Sequence, residues 1–493
     1  MDARKAERDK IHVPSISYLS MAKQESPCLP SASLRILKEH ESKLRSLQRD
    51  KASSLTTSSS SRTCDSNQLL STDGIMKMAR ARLHQSNYPL AQLIPVIRDD
   101  EFVDTRLGVP PERSEDFELA LIFQFSVLKY SMGQLIRAGQ LLGFCKYAAP
   151  ANGSPVQRVV HYFAESLQER IGREMGMIPS EAAAHQNVMK HGHTDEILTN
   201  PQSAIIQCQQ EIPFCHVSQF TAIETIMEHV ESAKIIHLID LGIRNGSHWP
   251  IMMQAVADRQ EYPLELLKIS AVGQSKEIIE EMGEILSSFA KTMNVPFTFK
   301  LVLSNIEDLK EEMFEIEPGE AVVVYSDTCL ASLLPRPDRL ESVILAMKNL
   351  KPCLMVICEL EASTCSPTVM GRFNNALSLF CALFDCFEDC FDRDNPFRAM
   401  VEEHFFRKGI HNSMAAEDDK RVYCHEKIDF WRSFFARLGI IEIPMSDSAL
   451  YQAKFLCQSN ARWSSCTLDI NGKSLILGWK GTPIKFLSAW KFS

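Results

Sequence analysis

Asp240, Gly242 and Gly246 stand in the order Asp-x-Gly-x-x-x-Gly, at the end of the short apolar run Ile235-Ile236-His237-Leu238-Ile239-Asp240. An acid at a strand end, followed by a glycine turn into a helix, is how many α/β folds hold a nucleotide. The glycines let backbone approach the ligand, and the helix N-terminus favours its anion. A ribose then calls for a carboxylate at the end of the next strand. Here that position reads Val272-Gly273-Gln274-Ser275, without an acid, and Arg244 and His248 place bulky side chains in the turn. The spacing implies a methyltransferase-like sheet whose cofactor site is degenerate. Asp240, Gly242 and Gly246 are the candidate cofactor contacts, no cofactor is expected to be held, and Asp240 is expected to cap the turn or pair with Arg244.

Other reactive patterns are sparse. The chain has no G-x-S-x-G elbow, no H-E-x-x-H helix and no phosphate-binding lysine motif, so no catalytic residue is assigned. The fifteen cysteines are irregularly spaced. Neither the group Cys381, Cys386 and Cys390 nor the neighbours Cys424 and His425 have zinc spacing, and no metal site is expected. Reduced thiols in apolar helices, in a reducing compartment, are the expectation. Leu330-x-x-Leu333-Leu334 matches a pentad that can dock as an amphipathic helix, although such pentads often arise by chance. Trp249 is expected to anchor a helix to the sheet, and His237 to be a core or edge histidine. Trp463, Trp479 and Trp490 are expected to pack a C-terminal hairpin on the sheet.

The elements that must position these residues change character along the chain. Residues 1–66 read as a tail ending in a Ser/Thr-rich run at 53–66, with a helical leucine spacing over 33–50 at Leu34, Leu37, Leu44 and Leu47. From 68 to about 210 the pattern is helical. Leu121, Leu128, Leu135 and Leu142 recur every seven residues in a predicted helix over 115–143 that stops at Gly143. The period suggests a coiled-coil seam, while the broad apolar face suggests packing within the chain. A second amphipathic helix is predicted over 157–174. Near residue 233 strands begin to alternate with helices. Strands are predicted at 235–240, 266–272, 297–302, 321–326 and 354–358, and helices at 250–259 and 276–292, which indicates a parallel sheet. Residues 451–456, 463–470 and 474–479 read as antiparallel strands, the last two joined by a turn at Asn471-Gly472.

Length and charge bound the function. The 493 residues are 45% apolar and carry a formal charge of −9, without the basic footprint of a nucleic-acid binder. Action on DNA would need a partner. No run of about 18 apolar residues marks a membrane span, and charges throughout the first thirty residues leave no secretory apolar region.

Taken together, the motifs carry a family resemblance. His237-Leu238-Ile239-Asp240, followed by Gly246 and His248-Trp249-Pro250, resembles the VHIID box of plant GRAS proteins. Arg158, Tyr162-Phe163, Glu165, Leu167 and Arg170-Ile171 are similar to the end of that family's first leucine-rich region. Ser366-Pro367, Arg372-Phe373, Ala376-Leu377 and Ala382-Leu383-Phe384-Asp385 resemble its PFYRE region. Val401-Glu402, Arg421-Val422, His425-Glu426-Lys427 and Trp431-Arg432 resemble the segment after it. Ser488-Ala489-Trp490, with ten residues between Trp479 and Trp490, resembles the SAW region. The matches are collinear from Leu69 onward. Leu379-Phe380, Tyr423-Cys424 and Ile223-Glu224 depart from the family pattern. Leu241-Gly242-Ile243 is similar to the DELLA-related branch, and no DELLA or VHYNP box is visible.

The resemblance implies a methyltransferase-like mixed α/β sheet with an antiparallel C-terminal hairpin. A GRAS domain would occupy 67–493, with a helical cap at 68–200, an α/β core at 201–493 and an insertion into the cap near 366–400. It implies a transcriptional co-regulator of the plant nucleus, and also the cytoplasm, that binds DNA-binding transcription factors such as zinc-finger proteins. Homo- or heterodimers with GRAS proteins are implied, without direct nucleic-acid or membrane contact. Leu121, Leu128, Leu135, Leu142, His237, Asp240, Trp249, Arg421, Trp479 and Trp490 are its partner-binding or structural positions. The rival expectation is an S-adenosylmethionine-dependent methyltransferase of a small molecule, using Asp240, Gly242 and Gly246.

Overall fold

Runs of β-branched residues flanked by glycine turns build the centre of the molecule. The computed structural model describes residues 71–84, 115–177, 210–243, 246, 248–417 and 420–492. The leucine spacing at 33–50, the Ser/Thr run and Arg244 therefore lie outside the described residues. β1 (Ile235–Asp240) pairs in parallel with β2 (Leu266–Gly273) and β4 (Ala321–Asp327). β2 carries β3 (Phe297–Leu303) and β4 carries β5 (Leu354–Leu360). Apart from half-exposed Ile235, β1 is buried, as a parallel strand covered on both faces must be. Its residues alternate between two cores, Leu238 facing one and Ile239 the other.

The sheet continues antiparallel. β9 (Thr482–Phe492) lies against β5 along one edge. Its other edge is shared end to end by β8 (Ser474–Trp479) and β6 (Ile440–Ile443), and β7 (Cys466–Asn471) closes the order β3-β2-β1-β4-β5-β9-β8-β7. Helices cover both faces. α5 (Pro213–His229), α6 (Trp249–Ala257) and α7 (Lys276–Thr292) bury side chains in the Leu238 core, while α8 (Pro337–Asn349) and α12 (Ile428–Arg437) bury theirs in the Ile239 core.

A helical cap stands on this frame. It comprises α1 (Thr72–His84), α2 (Glu115–Ser131), α3 (Leu135–Ala148) and α4 (Pro155–Glu174). Ser154 and Gln157 cap each other's backbone amides at the start of α4, with Pro155 in its first turn, the reciprocal arrangement that satisfies two orphan donors. α9 (Val369–Cys390), α10 (Pro396–Val401), a π-helical turn (Glu402–Phe406) and α11 (Arg407–Met414) join the cap, α9 and α11 packing on α4. α9 also touches β8 and β9, so it bridges cap and sheet.

Several sequence expectations need correction. The predicted helix over 115–143 is two helices, α2 and α3. The chain breaks between them at Gly133, whose φ of 72° is a left-handed backbone that glycine adopts freely. Leu121 and Leu128 therefore belong to one helix and Leu135 and Leu142 to the next, so the seven-residue period is not one seam. Gly143 lies inside α3 and stops nothing. Residues 451–456 form no strand. They lie within α13 (Asp447–Ser459), where the Ser446 side chain accepts from Ala449 N and Ala449, Ala453 and Cys457 are buried at helical spacing. Residues 461–463 form a 3-10 turn and β7 begins only at Cys466. Asn471 pairs with Ser474, so the turn residues are Gly472 and Lys473, one position later than expected. The Leu330 pentad is a 3-10 turn with Leu330 and Leu333 fully buried, so it cannot dock as a helix.

The expectation of fifteen reduced thiols also fails, because Cys365 and Cys424 are bonded. Thr364 N donates to His425 O (2.8 Å), His425 N to Thr364 Oγ1 (2.9 Å) and Arg421 Nη1 to Thr364 O (3.1 Å). These contacts bring the two Cα atoms to 5.1 Å, within bridging range. A separation of 59 residues hides the pair from any spacing rule.

Candidate functional site

The glycine turn after β1 is where a cofactor would have to sit. Asp240 ends β1 with its carboxylate turned back on its own chain. Oδ1 accepts from Gly242 N (3.1 Å) and Oδ2 from the indole Nε1 of Trp249 (2.9 Å). The carboxylate thus caps the turn and pins α6 to the sheet. Trp249 is fully buried, with its ring edge-on to Tyr325 at 5.0 Å.

Each glycine that could admit a ligand instead admits a side chain. A Cβ on Gly242 would meet Cys329 Sγ at 2.1 Å. One on Gly246, whose φ is 54°, would meet Met282 Sδ at 2.9 Å, and one on Gly273 would meet Ile279 Cδ1 at 2.7 Å. The close approach that glycine permits is therefore used by Cys329, Met282 and Ile279. The residues present do not fit a nucleoside cofactor at this turn. Past the end of β2, Gln274 Nε2 donates to Asn305 Oδ1 (2.9 Å) where a ribose carboxylate would stand.

Beneath the turn lies a buried polar layer that no sequence motif marks. Lys485 Nζ on β9 donates to Asp327 Oδ1 at the end of β4 (2.8 Å), and Glu359 Oε1 accepts from Leu330 N (3.0 Å). His248 packs at a tilt against both Trp249 and Tyr325, its ring centroid 4.1 and 5.2 Å from theirs. Burial pulls its imidazole down to about 4, with nearby Lys485 adding and Asp327 opposing. A neutral imidazole follows at physiological pH. Lys485 and Asp327 are 158 residues apart, so only the sheet order brings them together.

His237 stands apart from this layer. Its Nδ1 pairs with Glu320 Oε2 (2.6 Å) and its Nε2 with Ser270 Oγ (2.8 Å), and Lys268 Nζ reaches Glu320 Oε1 (3.1 Å). Trp479 Nε1 donates to Asp389 Oδ2 on α9 (3.2 Å) and Trp490 Nε1 to Ser488 Oγ (2.8 Å). Both lie in sheet strands rather than in a hairpin laid over the sheet.

The cap is held by buried charge. Arg158 Nη1 meets Glu388 Oε2 (2.8 Å) and its Nε meets Glu402 Oε2 (3.4 Å). Arg398 meets the same two carboxylates at 2.8 and 3.2 Å. Two guanidiniums and two carboxylates thus lock α4, α9, α10 and the π-helical turn, and burial pushes the Glu402 carboxyl up to about 7 against the pull of Arg398. Asp385 accepts from Thr72 N (2.8 Å) and Thr72 Oγ1 (2.5 Å), fastening α1 to α9. Of the four leucines, Leu121 and Leu142 are buried inside the cap while Leu128 and Leu135 are half-buried. The outward face of α3 instead carries Ile136 and Tyr147, 66% and 84% exposed and eleven residues apart on one helix face, and Met132 in the turn before α3 is 59% exposed.

The GRAS domain family model matches residues 127–491, from the end of α2 through β9. The chain belongs to the GRAS domain family. The GRAS domain thus includes the cap helices α3 and α4 and the whole sheet. Among its relatives, DELLA protein RGL1 of Arabidopsis thaliana is 30% identical over 347 residues, covering 70% of this chain and 64% of RGL1. DELLA protein RGL3 of the same plant is 31% identical over 349 residues, covering 70% of this chain and 64% of RGL3. GRAS family protein RAD1 of Medicago truncatula is 28% identical over 359 residues, covering 72% of this chain and 68% of RAD1. The chain spans less than two thirds of the length of the DELLA relatives, 64% of RGL1 and 57% of GAIP-B of Cucurbita maxima. The crystal structure of SCL7 from Oryza sativa superposes with a TM-score of 0.64 at 25% identity, over 71% of this chain and 94% of that one. The mixed, methyltransferase-like sheet expected from the GRAS motifs is the fold of this chain.

Proposed function

We propose that this GRAS protein is a transcriptional co-regulator of the plant nucleus that works by binding DNA-binding transcription factors. The supporting observation is the closed glycine turn, where Cys329 occupies the approach at Gly242 and Asp240 is engaged by Trp249. With that crevice filled, the feature of the domain suited to recognition is surface. The α3 face offers exposed Ile136 and Tyr147, with exposed Met132 in the turn before it, and interfaces are built around such aromatic and Met anchors. The charge of −9 suits a division of labour in which the partner contacts DNA. Zinc-finger factors and other GRAS chains are the proposed partners, and the buried inner leucines leave the outer α3 face for either.

The test is co-purification from plant nuclei of the intact protein and of an Ile136→Asp, Tyr147→Asp variant, with partners identified by mass spectrometry and rebuilt from pure components. The expected result is a sequence-specific DNA-binding protein that binds at least ten-fold more weakly to the variant, at unchanged Tm. A steeply salt-dependent DNA shift by the protein alone, or stoichiometric binding of S-adenosylmethionine, would overturn the proposal.

A further inference from the structure

Cys457, in the last turn of α13, and Cys466, the first residue of β7, bring their sulfurs to 3.3 Å. A bond requires about 2 Å, so oxidation must draw the two sulfurs together. The backbone on either side is already held. Arg462, in the intervening loop, donates from Nη1 to Cys390 O (2.8 Å), Trp463 Nε1 donates to Glu211 O (2.9 Å), and Asn460 caps the 3-10 turn between them.

Of the two thiols only Cys457 differs from its neighbours, since hydrogen bonding with Cys457 and burial push the Cys466 thiol up. Burial pushes the Cys145 thiol up to about 12 and the Cys386 and Cys381 thiols well above the usual range. The Cys457 thiol is held below it, because hydrogen bonding with Cys466 outweighs burial. Thiolate character governs attack on an oxidant. Cys457 is 7% exposed and Cys466 is half-buried. Such limited exposure favours a small oxidant such as a peroxide over a bulky one. Cys386 and Cys390, 3.8 Å apart on α9, are fully buried, and Cys365–Cys424 is already closed.

We propose that Cys457 and Cys466 form a peroxide-oxidised modification site, with Cys457 as the attacking thiol and Cys466 as the resolving one. The Cys457 thiolate attacks one oxygen of hydrogen peroxide. The O–O bond breaks, the leaving hydroxide takes a proton to become water, and Cys457 holds a sulfenic acid. The Cys466 sulfur then attacks Cys457 Sγ, the S–O bond breaks, and a second water leaves with the Cys466 proton. In sum, two thiols and one peroxide give one disulfide and two waters. The product ties the end of α13 to the edge strand β7 and closes the loop carrying Arg462 and Trp463. Small thiols reverse it.

The experiment uses the full chain, mildly reduced, titrated with hydrogen peroxide, alkylated, and mapped by mass spectrometry. The Cys365–Cys424 link serves as an internal control. The expected result is a Cys457–Cys466 peptide formed at peroxide levels that leave Cys145, Cys358 and Cys381 alkylatable, with Tm raised about 3 °C. Cys466→Ser should trap dimedone-reactive sulfenic acid at Cys457, and Cys457→Ser should trap none at Cys466. Each variant tests the assignment separately, so misfolding of one leaves the other informative. Full alkylation of Cys457 and Cys466 while buried thiols oxidise, or linkage of Cys457 to another cysteine, refutes the site.

Discussion

At Gly242 the missing Cβ is the point. An open cofactor turn tolerates alanine sterically, whereas here a methyl group meets Cys329 Sγ at 2.1 Å. Gly242→Ala should therefore destabilise the fold by about 1–3 kcal/mol through overpacking. Cys329→Ala in the same chain should recover most of the loss, since the clash is with the sulfur. Urea unfolding of the two single variants and the double variant measures the coupling, and additive effects would mean that the crevice has room to spare. The Asp-x-Gly-x-x-x-Gly spacing was visible in the sequence, but the side chain filling it comes from another strand end, 87 residues away.

Among the elements, α9 holds cap and sheet together, and its charges should set a pH dependence. Burial pushes the Asp385 carboxyl up to about 6, against the lowering influence of Lys480 and the Thr72 hydrogen bonds. The unfolded carboxyl titrates near 3.9. Between these values the folded state keeps a proton that the unfolded chain has released. The Asp385 contribution is thus fully present below about pH 4, falls as pH rises through about 6, and is constant above. Its size is at most about 3 kcal/mol. Asp385→Asn removes this dependence, so relative to that variant the wild-type protein should lose about 2 kcal/mol between pH 4.5 and 7 in urea titrations. Parallel pH profiles would show that the carboxylate is solvated. Element types were largely legible wherever periodicity was strong, as in β1, β2, β4, β5 and α4. The exceptions have local causes. Gly133 divides a leucine period that looked continuous, and a serine cap with a buried Ala449-Ala453-Cys457 stripe makes a helix of residues that read as a strand.

On the scale of the molecule, the described residues from Ser71 to Phe492 belong to one compact unit, and polar ties cross between cap and sheet. Thr482 Oγ1 on β9 donates to Asp73 Oδ2 on α1 (3.1 Å), and Lys480 Nζ pairs with Asp389 Oδ2 (2.9 Å). Cap and sheet should therefore unfold together. Tryptophan fluorescence, which reports Trp249, Trp431, Trp463, Trp479 and Trp490, all outside the cap helices, and far-UV circular dichroism, dominated by the helices, should give coincident urea transitions. A separate earlier transition in the dichroism alone would make the cap an independent unit.

By itself the sequence determined the alternation of strands and helices, the glycine turn, the family motifs in their order and the poverty of catalytic constellations. These are local properties, written in periods of two and 3.6 and in spacings of a few residues. Tertiary structure alone decided which residues meet. β9, with Pro483, Lys485 and Lys491, does not look like an interior strand, yet it lies between β5 and β8 because Lys485 finds Asp327 and Trp490 packs on Phe435. The closed turn at Gly242, the Arg158–Glu388–Arg398–Glu402 lock and the Cys365–Cys424 bond likewise join residues far apart in the chain. Such contacts depend on chain crossings that no short window records, and they separate a scaffold from a cofactor site.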